Sequence, residues 1–192
     1  MSNRQTRSIS AQKVRAVEQE SSKSIECLFA TFTGRYDIAP GVYETIAPNA
    51  FDDTLHDDIR ALVDHDTRLV LGRTTAGTLS LRVDSLGLWG RIMINEHDID
   101  AMNLYARVQR GDVTGCSFGF DVLDEENEYI AATQECHWIL KKIRLYEVSV
   151  CTFPAYQDTI AESRKERNEA FEKRKIEAFK QRCLARLHKS GN

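Results

Sequence analysis

The feature that most constrains this chain is a succession of short apolar runs cut apart by glycine and polar turn residues. Residues 69–72, 79–83 and 88–94 are apolar or alternate in polarity, and each is too short to complete a stable helix. Residues 25–33 have β-branched and aromatic character and lead into Gly34, Pro40 and Gly41, which predicts a first strand and its loop. Residues 115–122, 136–140 and 143–153 read the same way, with an acidic loop after the first and Pro154 closing the last. Two helices interrupt the strands. Residues 50–63 place Phe51, Leu55, Ile59 and Leu62 on one stripe, and residues 98–109 form the second. The pattern therefore favours a mostly β fold with flanking helices (α+β), built on an antiparallel sheet or a small barrel.

Both ends differ from this middle. Residues 1–24 are rich in Ser, Gln, Arg and Glu with little to bury, and are expected to be disordered. Residues 159–192 are expected to form a charged amphipathic helical tail, with Ile176, Phe179, Cys183 and Leu187 on one stripe and Glu169 able to pair with Lys173. Residues 25–158 are left as the single globular domain. The formal charge of −3 hides an asymmetry: from Ala161 onward ten Lys or Arg face five Asp or Glu, so the remainder carries about −8. An acidic body argues against a nucleic-acid groove, which needs a clustered cationic face. Five scattered cysteines without a C-x-x-C pair suggest reduced thiols in place of a disulfide framework or zinc site. Neither a signal peptide nor a membrane span is expected.

Three residues stand out chemically. In the run Gly115 to Phe120, strand alternation puts Gly115, Ser117 and Gly119 on one face and Cys116, Phe118 and Phe120 on the other. A lone hydroxyl then stands on a bared face, with room for another backbone to lie close. The same pattern also suits a strand serine whose glycines only permit tight packing. Serine needs a base to become a nucleophile, and His65 is the best placed of the histidines, in a short loop after an apolar helix end. His65 between two acids also fits a solvated loop residue. Glu147 is a carboxylate in a largely apolar strand and wants a cationic or donor partner. An imidazole N–H would serve. So would solvent, Arg144 or Lys142.

In this order the pieces resemble the prohead (procapsid maturation) proteases of tailed bacteriophages, a family distantly similar to the herpesvirus assembly proteases. The resemblance runs from about Phe29 to Asp158. It rests on Ile46-Ala47-Pro48-Asn49-Ala50-Phe51, Val63-Asp64-His65-Asp66 with Leu71-Gly72, Gly87-Leu88, Gly115 to Phe120, Glu147-Val148-Ser149, and Phe153-Pro154-Ala155. His65 precedes Ser117 by 52 residues and Glu147 follows it by 30, the His, Ser, acid order of the family.

The resemblance implies a serine endopeptidase with a His65, Ser117 and Glu147 triad, a barrel-like core and no cofactor. Its substrates would be the scaffolding region of the major capsid protein and the protease itself, inside the assembling prohead in the host cytoplasm. Backbone groups near Ala155 and Tyr156 are the candidate oxyanion donors, although Tyr156 stands where the family commonly has a small polar residue. Three other readings compete. One is a non-enzymatic capsid assembly factor. Another is a cysteine hydrolase using Cys116. The third is a metal-dependent hydrolase using Asp64, His65, Asp98 and Asp100, disfavoured because those acids look like loop and helix-start residues.

Overall fold

A computed structural model describes residues 5–10, 14–19 and 22–153, with Lys173, Ile176 and Glu177 beyond them. Eleven strands and one helix follow in chain order among these residues. They are β1 (Gln5–Ser10), β2 (Arg15–Gln19), β3 (Ser22–Thr31), β4 (Tyr36–Ala39), β5 (Val42–Ile46), β6 (Arg60–Val63), β7 (Asp66–Arg73), β8 (Leu79–Val83), β9 (Gly87–Met93), α1 (Ile99–Arg110), β10 (Gly115–Ile130) and β11 (Glu135–Cys151).

The strands make two sheets. One runs β1-β10-β11-β5-β4, with β6 and β7 attached through the second half of β11, and the other runs β2-β3-β9-β8. The β10–β11 hairpin is the spine of the first. The N-terminal half of β11 pairs with β5 and its C-terminal half with β6, both in parallel, so the sheet is mixed. Phe118 and Phe120 of β10 stack at 5.0 Å, and Phe51 meets Phe118 edge-on at 6.0 Å. Ile25, Phe29, Leu88 and Ile92 close the core from the second sheet. The Sγ of Cys116 donates to the Leu28 carbonyl at 3.0 Å, tying β10 to β3. At the start of β9 a Cβ on Gly87 would lie 1.9 Å from the Ala30 carbonyl oxygen, so only glycine allows that approach.

Several expectations change. The sheet is not wholly antiparallel, and the described strands form two open sheets in place of a closed barrel. The helix expected over 50–63 is absent. Successive four-residue turns run from Ala47 to Asp57, and β6 then joins β11. Phe51 and Ile59 are buried all the same, so the stripe recorded burial and not helicity. The strands expected at 136–140 and 143–153 are one strand, and much of the expected acidic loop belongs to the hairpin arms. The leader expected to be disordered supplies β1 and β2, one in each sheet. The expected helix at 98–109 is α1, with Asp98 as N-cap and Gly111 closing its end at φ 86°. Apart from Lys173, Ile176 and Glu177, which are helical, the tail lies outside the described residues.

Candidate functional site

His65 reaches its place through a two-residue hairpin. Val63 of β6 pairs with Asp66 of β7, and between them Asp64 and His65 both have positive φ, 47° and 61°. Positive φ at both central residues is the signature of a type I′ turn, whose twist matches the flanking strands. Aspartate tolerates the left-handed region because its short polar side chain can bond locally. Here it bonds across to the end of β11. The backbone N–H of Asp64 donates to the Val150 carbonyl at 3.1 Å, and its carboxylate accepts from the Thr152 N–H at 2.8 Å and hydroxyl at 3.1 Å. The tip of the hairpin is thus fastened beside β11, and the imidazole hangs over that strand.

Glu147 and Ser149 meet the imidazole there because of one extra residue. Gly119 pairs with Glu147, yet Phe120 pairs with Leu145, so Tyr146 is a bulge on β11 that resets the alternation. Leu145 and Val148 both enter the core, whereas Glu147 and Ser149 turn to the opposite face. Ser117 pairs with Ser149 across the hairpin and shares that face. Glu147 is 5% exposed and its carboxylate is fully engaged. Its Oε1 lies 2.7 Å from His65 Nδ1, and its Oε2 accepts from the Ser149 hydroxyl at 2.6 Å. The Ser149 oxygen in turn accepts from the His65 backbone N–H at 3.2 Å. A carboxylate oxygen accepts, so Nδ1 is the donor in that contact. The ring's Nε2 is buried and has no hydrogen-bond partner among the described residues.

Gly119 has a definite role in this arrangement. A Cβ there would lie 2.3 Å from Glu147 Oε1 and 3.1 Å from its carboxyl carbon. The bare surface beside Ser117 on that side is therefore room for the carboxylate.

Ser117 is fully buried, and its hydroxyl is not bonded to His65. It donates at 2.8 Å to the carbonyl oxygen of Arg7, on the strand β1 that lies antiparallel along β10. The Arg7 side chain is itself buried. Its guanidinium bonds both carboxylate oxygens of Glu44 on β5, Nε to Oε1 at 2.6 Å and Nη2 to Oε2 at 2.9 Å, and sits 5.4 Å from the Phe120 ring centre.

Cys116 occupies the other face, fully buried with its thiol committed to the Leu28 carbonyl. Its neighbour Cys27 has a thiol pushed well up by burial, the environment of an inert core cysteine. Two acids of the metal reading, Asp64 and Asp98, are engaged in separate places. Asp64 holds Thr152, and Asp98 caps α1 through the Asp100 and Ala101 N–H groups. Asp66 is held by Arg68, whose guanidinium pulls its carboxyl down to about 2. Ala155 and Tyr156 lie outside the described residues. Ser149, Arg7 and Glu44 had not been singled out. Ser149 was within reach, because two residues along a strand share a face.

The chain is 34% identical over 117 residues to the prohead protease of Enterobacteria phage HK97. That alignment covers 58% of this chain and 48% of the relative, so the chain spans about half the relative's length. Among solved structures it is similar to the bacteriophage T4 capsid assembly protease, with a TM-score of 0.47 at 10% identity, over 79% of this chain and 98% of that one. Residues 10–174 match the family described as caudovirus prohead serine protease, a span that includes His65, Ser117 and Glu147 and most of the chain, and the chain belongs to that family.

Proposed function

We propose that this chain is a serine endopeptidase of phage capsid maturation, with Ser117 as nucleophile, His65 as base and Glu147 as the acid that orients it. The observation that carries the reading is the 2.7 Å contact between His65 Nδ1 and Glu147 Oε1 on the sheet face that also bears Ser117. With Nδ1 as donor, Nε2 is free to take the Ser117 proton as Oγ attacks a scissile carbonyl carbon. The imidazolium that results sits against a carboxylate, which stabilises it, and then delivers its proton to the leaving amine. Water repeats the sequence on the acyl-enzyme.

Two backbone N–H groups near Ala155 and Tyr156 are proposed to hold the oxyanion, a contribution of about 3 to 4 kcal/mol per donor in well-studied hydrolases. The proposed substrates are the scaffolding region of the major capsid protein and the protease itself, within the assembling prohead. A closed barrel of the herpesvirus assembly protease type is not proposed, since the described strands form two open sheets. A cysteine mechanism is not supported by a thiol buried on the core face, and a non-enzymatic assembly role gives no reason for the His65–Glu147–Ser149 constellation.

The test is incubation of purified chain with unprocessed capsid protein, with the products mapped by mass spectrometry. Discrete cuts that remove the scaffolding region are expected. An intact precursor under conditions where the prohead assembles would overturn the enzymatic reading.

A further inference from the structure

The edge of β10 that carries Ser117 is already occupied by a strand, and the occupant has the features of a bound peptide. β1 is extended and pairs antiparallel from Gln5 opposite Phe120 to Ser10 opposite Gly115. Main-chain pairing to a sheet edge gives affinity, and pockets for individual side chains give specificity. One such pocket is present. Arg7 puts its guanidinium into a buried site where Glu44, fully buried itself, receives it with two hydrogen bonds and Phe120 covers it.

The same residue offers its carbonyl oxygen to the Ser117 hydroxyl at 2.8 Å. The carbonyl against the hydroxyl and the side chain in the acidic pocket thus belong to one residue. Because the Ser117 proton is given to that carbonyl and not to His65 Nε2, β1 as seated blocks the reaction.

We infer that this edge of β10 is the berth for a substrate strand, that Glu44 selects a basic side chain in it, and that residues 5–10 are a built-in occupant that covers Ser117 until displaced. The inference rests on Ser117 being the nucleophile. All of β1 except Ser10 lies ahead of the residues matched to the family.

A bidentate pair suits a guanidinium best, because a planar fork meets both carboxylate oxygens at once. Burial sharpens the choice: a neutral side chain in the berth would leave Glu44 without its cation. The preferred strand therefore carries arginine, with lysine second.

The berth can be measured without catalysis. A fluorescent synthetic peptide copying residues 4–11 is titrated onto the full chain carrying Ser117→Ala, with β1 either intact or released by Arg7→Ala, which takes the guanidinium away from Glu44. Thr6→Pro serves as a second releasing substitution, in case the buried Glu44 without Arg7 prevents folding. Release should tighten peptide binding at least about tenfold, and a peptide with alanine in place of its internal arginine should bind at least about tenfold more weakly. Adding Glu44→Gln should remove that preference. With Ser117 intact, the released chains should also cleave substrate at least about tenfold faster than the unreleased chain.

Equal binding to released and unreleased chains, or equal binding of the two peptides, overturns the berth. Cleavage that depends on Ser117 but shows no such preference keeps the peptidase and overturns the inference. Preferential binding without any cleavage when Ser117 is present leaves a peptide-binding edge and overturns both the peptidase reading and the substrate berth that rests on it.

Discussion

Glu147 can be changed chemically with almost no change of shape. Glu147→Gln keeps an oxygen that can face His65 Nδ1 but cannot stabilise an imidazolium, so activity is expected to fall on the order of a hundredfold or more with melting little changed. Activity within about twofold of wild type would return Glu147 to a purely structural role. Gly119→Ala attacks the same carboxylate from outside, since the new methyl would occupy a point 2.3 Å from Oε1. A comparable loss of kcat is expected, with the core intact because Gly119 faces away from it. Ser149→Ala removes the donor to Oε2 and the acceptor for the His65 N–H, both in buried surroundings. It should cost about 1–3 kcal/mol of stability and lower kcat/KM about tenfold, measured by urea melts and peptide cleavage. Unchanged values for both would show that Ser149 braces nothing.

The elements that position these groups differ in how far the sequence reveals them. Gly115 to Phe120 was legible as a strand because its alternation is strict, and the face assignment of Cys116 and Ser117 follows from it. Glu147 was legible as a candidate but its facing was not, because a single bulged residue, Tyr146, reverses the parity and leaves no compositional mark. The stretch 50–63 misled because apolar residues at spacings of four mark burial in a run of turns as readily as in a helix. Asp64–His65 carries no Gly-Asn turn signal, yet it makes the left-handed hairpin through cross-bonds to Thr152. That assigns the turn a prediction of its own. Asp64→Asn should be tolerated, whereas Asp64→Val, β-branched at positive φ and without the Thr152 contact, should cost about 1–3 kcal/mol and lower activity by letting His65 drift. Equal urea midpoints for the two variants would contradict this account of the hairpin.

At the scale of the whole molecule, the N-terminal leader is the largest departure from expectation. Its polar composition hides two strands whose partners are far away in sequence: Ser117 and Arg7 are separated by 110 residues. Local pattern cannot announce such a pairing, since the stabilisation comes from edges and a charge partner supplied elsewhere. A chain starting at Ser22 should accordingly be less stable. It strips the edges of β10 and β3 and leaves Glu44 buried without its guanidinium, a loss of about 3–5 kcal/mol for that pair alone. Identical thermal melting of the shortened and full chains would show that β1 and β2 contribute little.

Ser117 Oγ is the attacking atom in the proposed reaction. That role is tested most directly by capsid-precursor cleavage with Ser117→Ala and Cys116→Ala measured side by side, each checked for folding by thermal melting. Ser117→Ala should fold and leave the precursor uncut, while Cys116→Ala, which shortens a buried thiol on the core face, should still cut it. An active Ser117→Ala beside an inactive, folded Cys116→Ala would contradict the account.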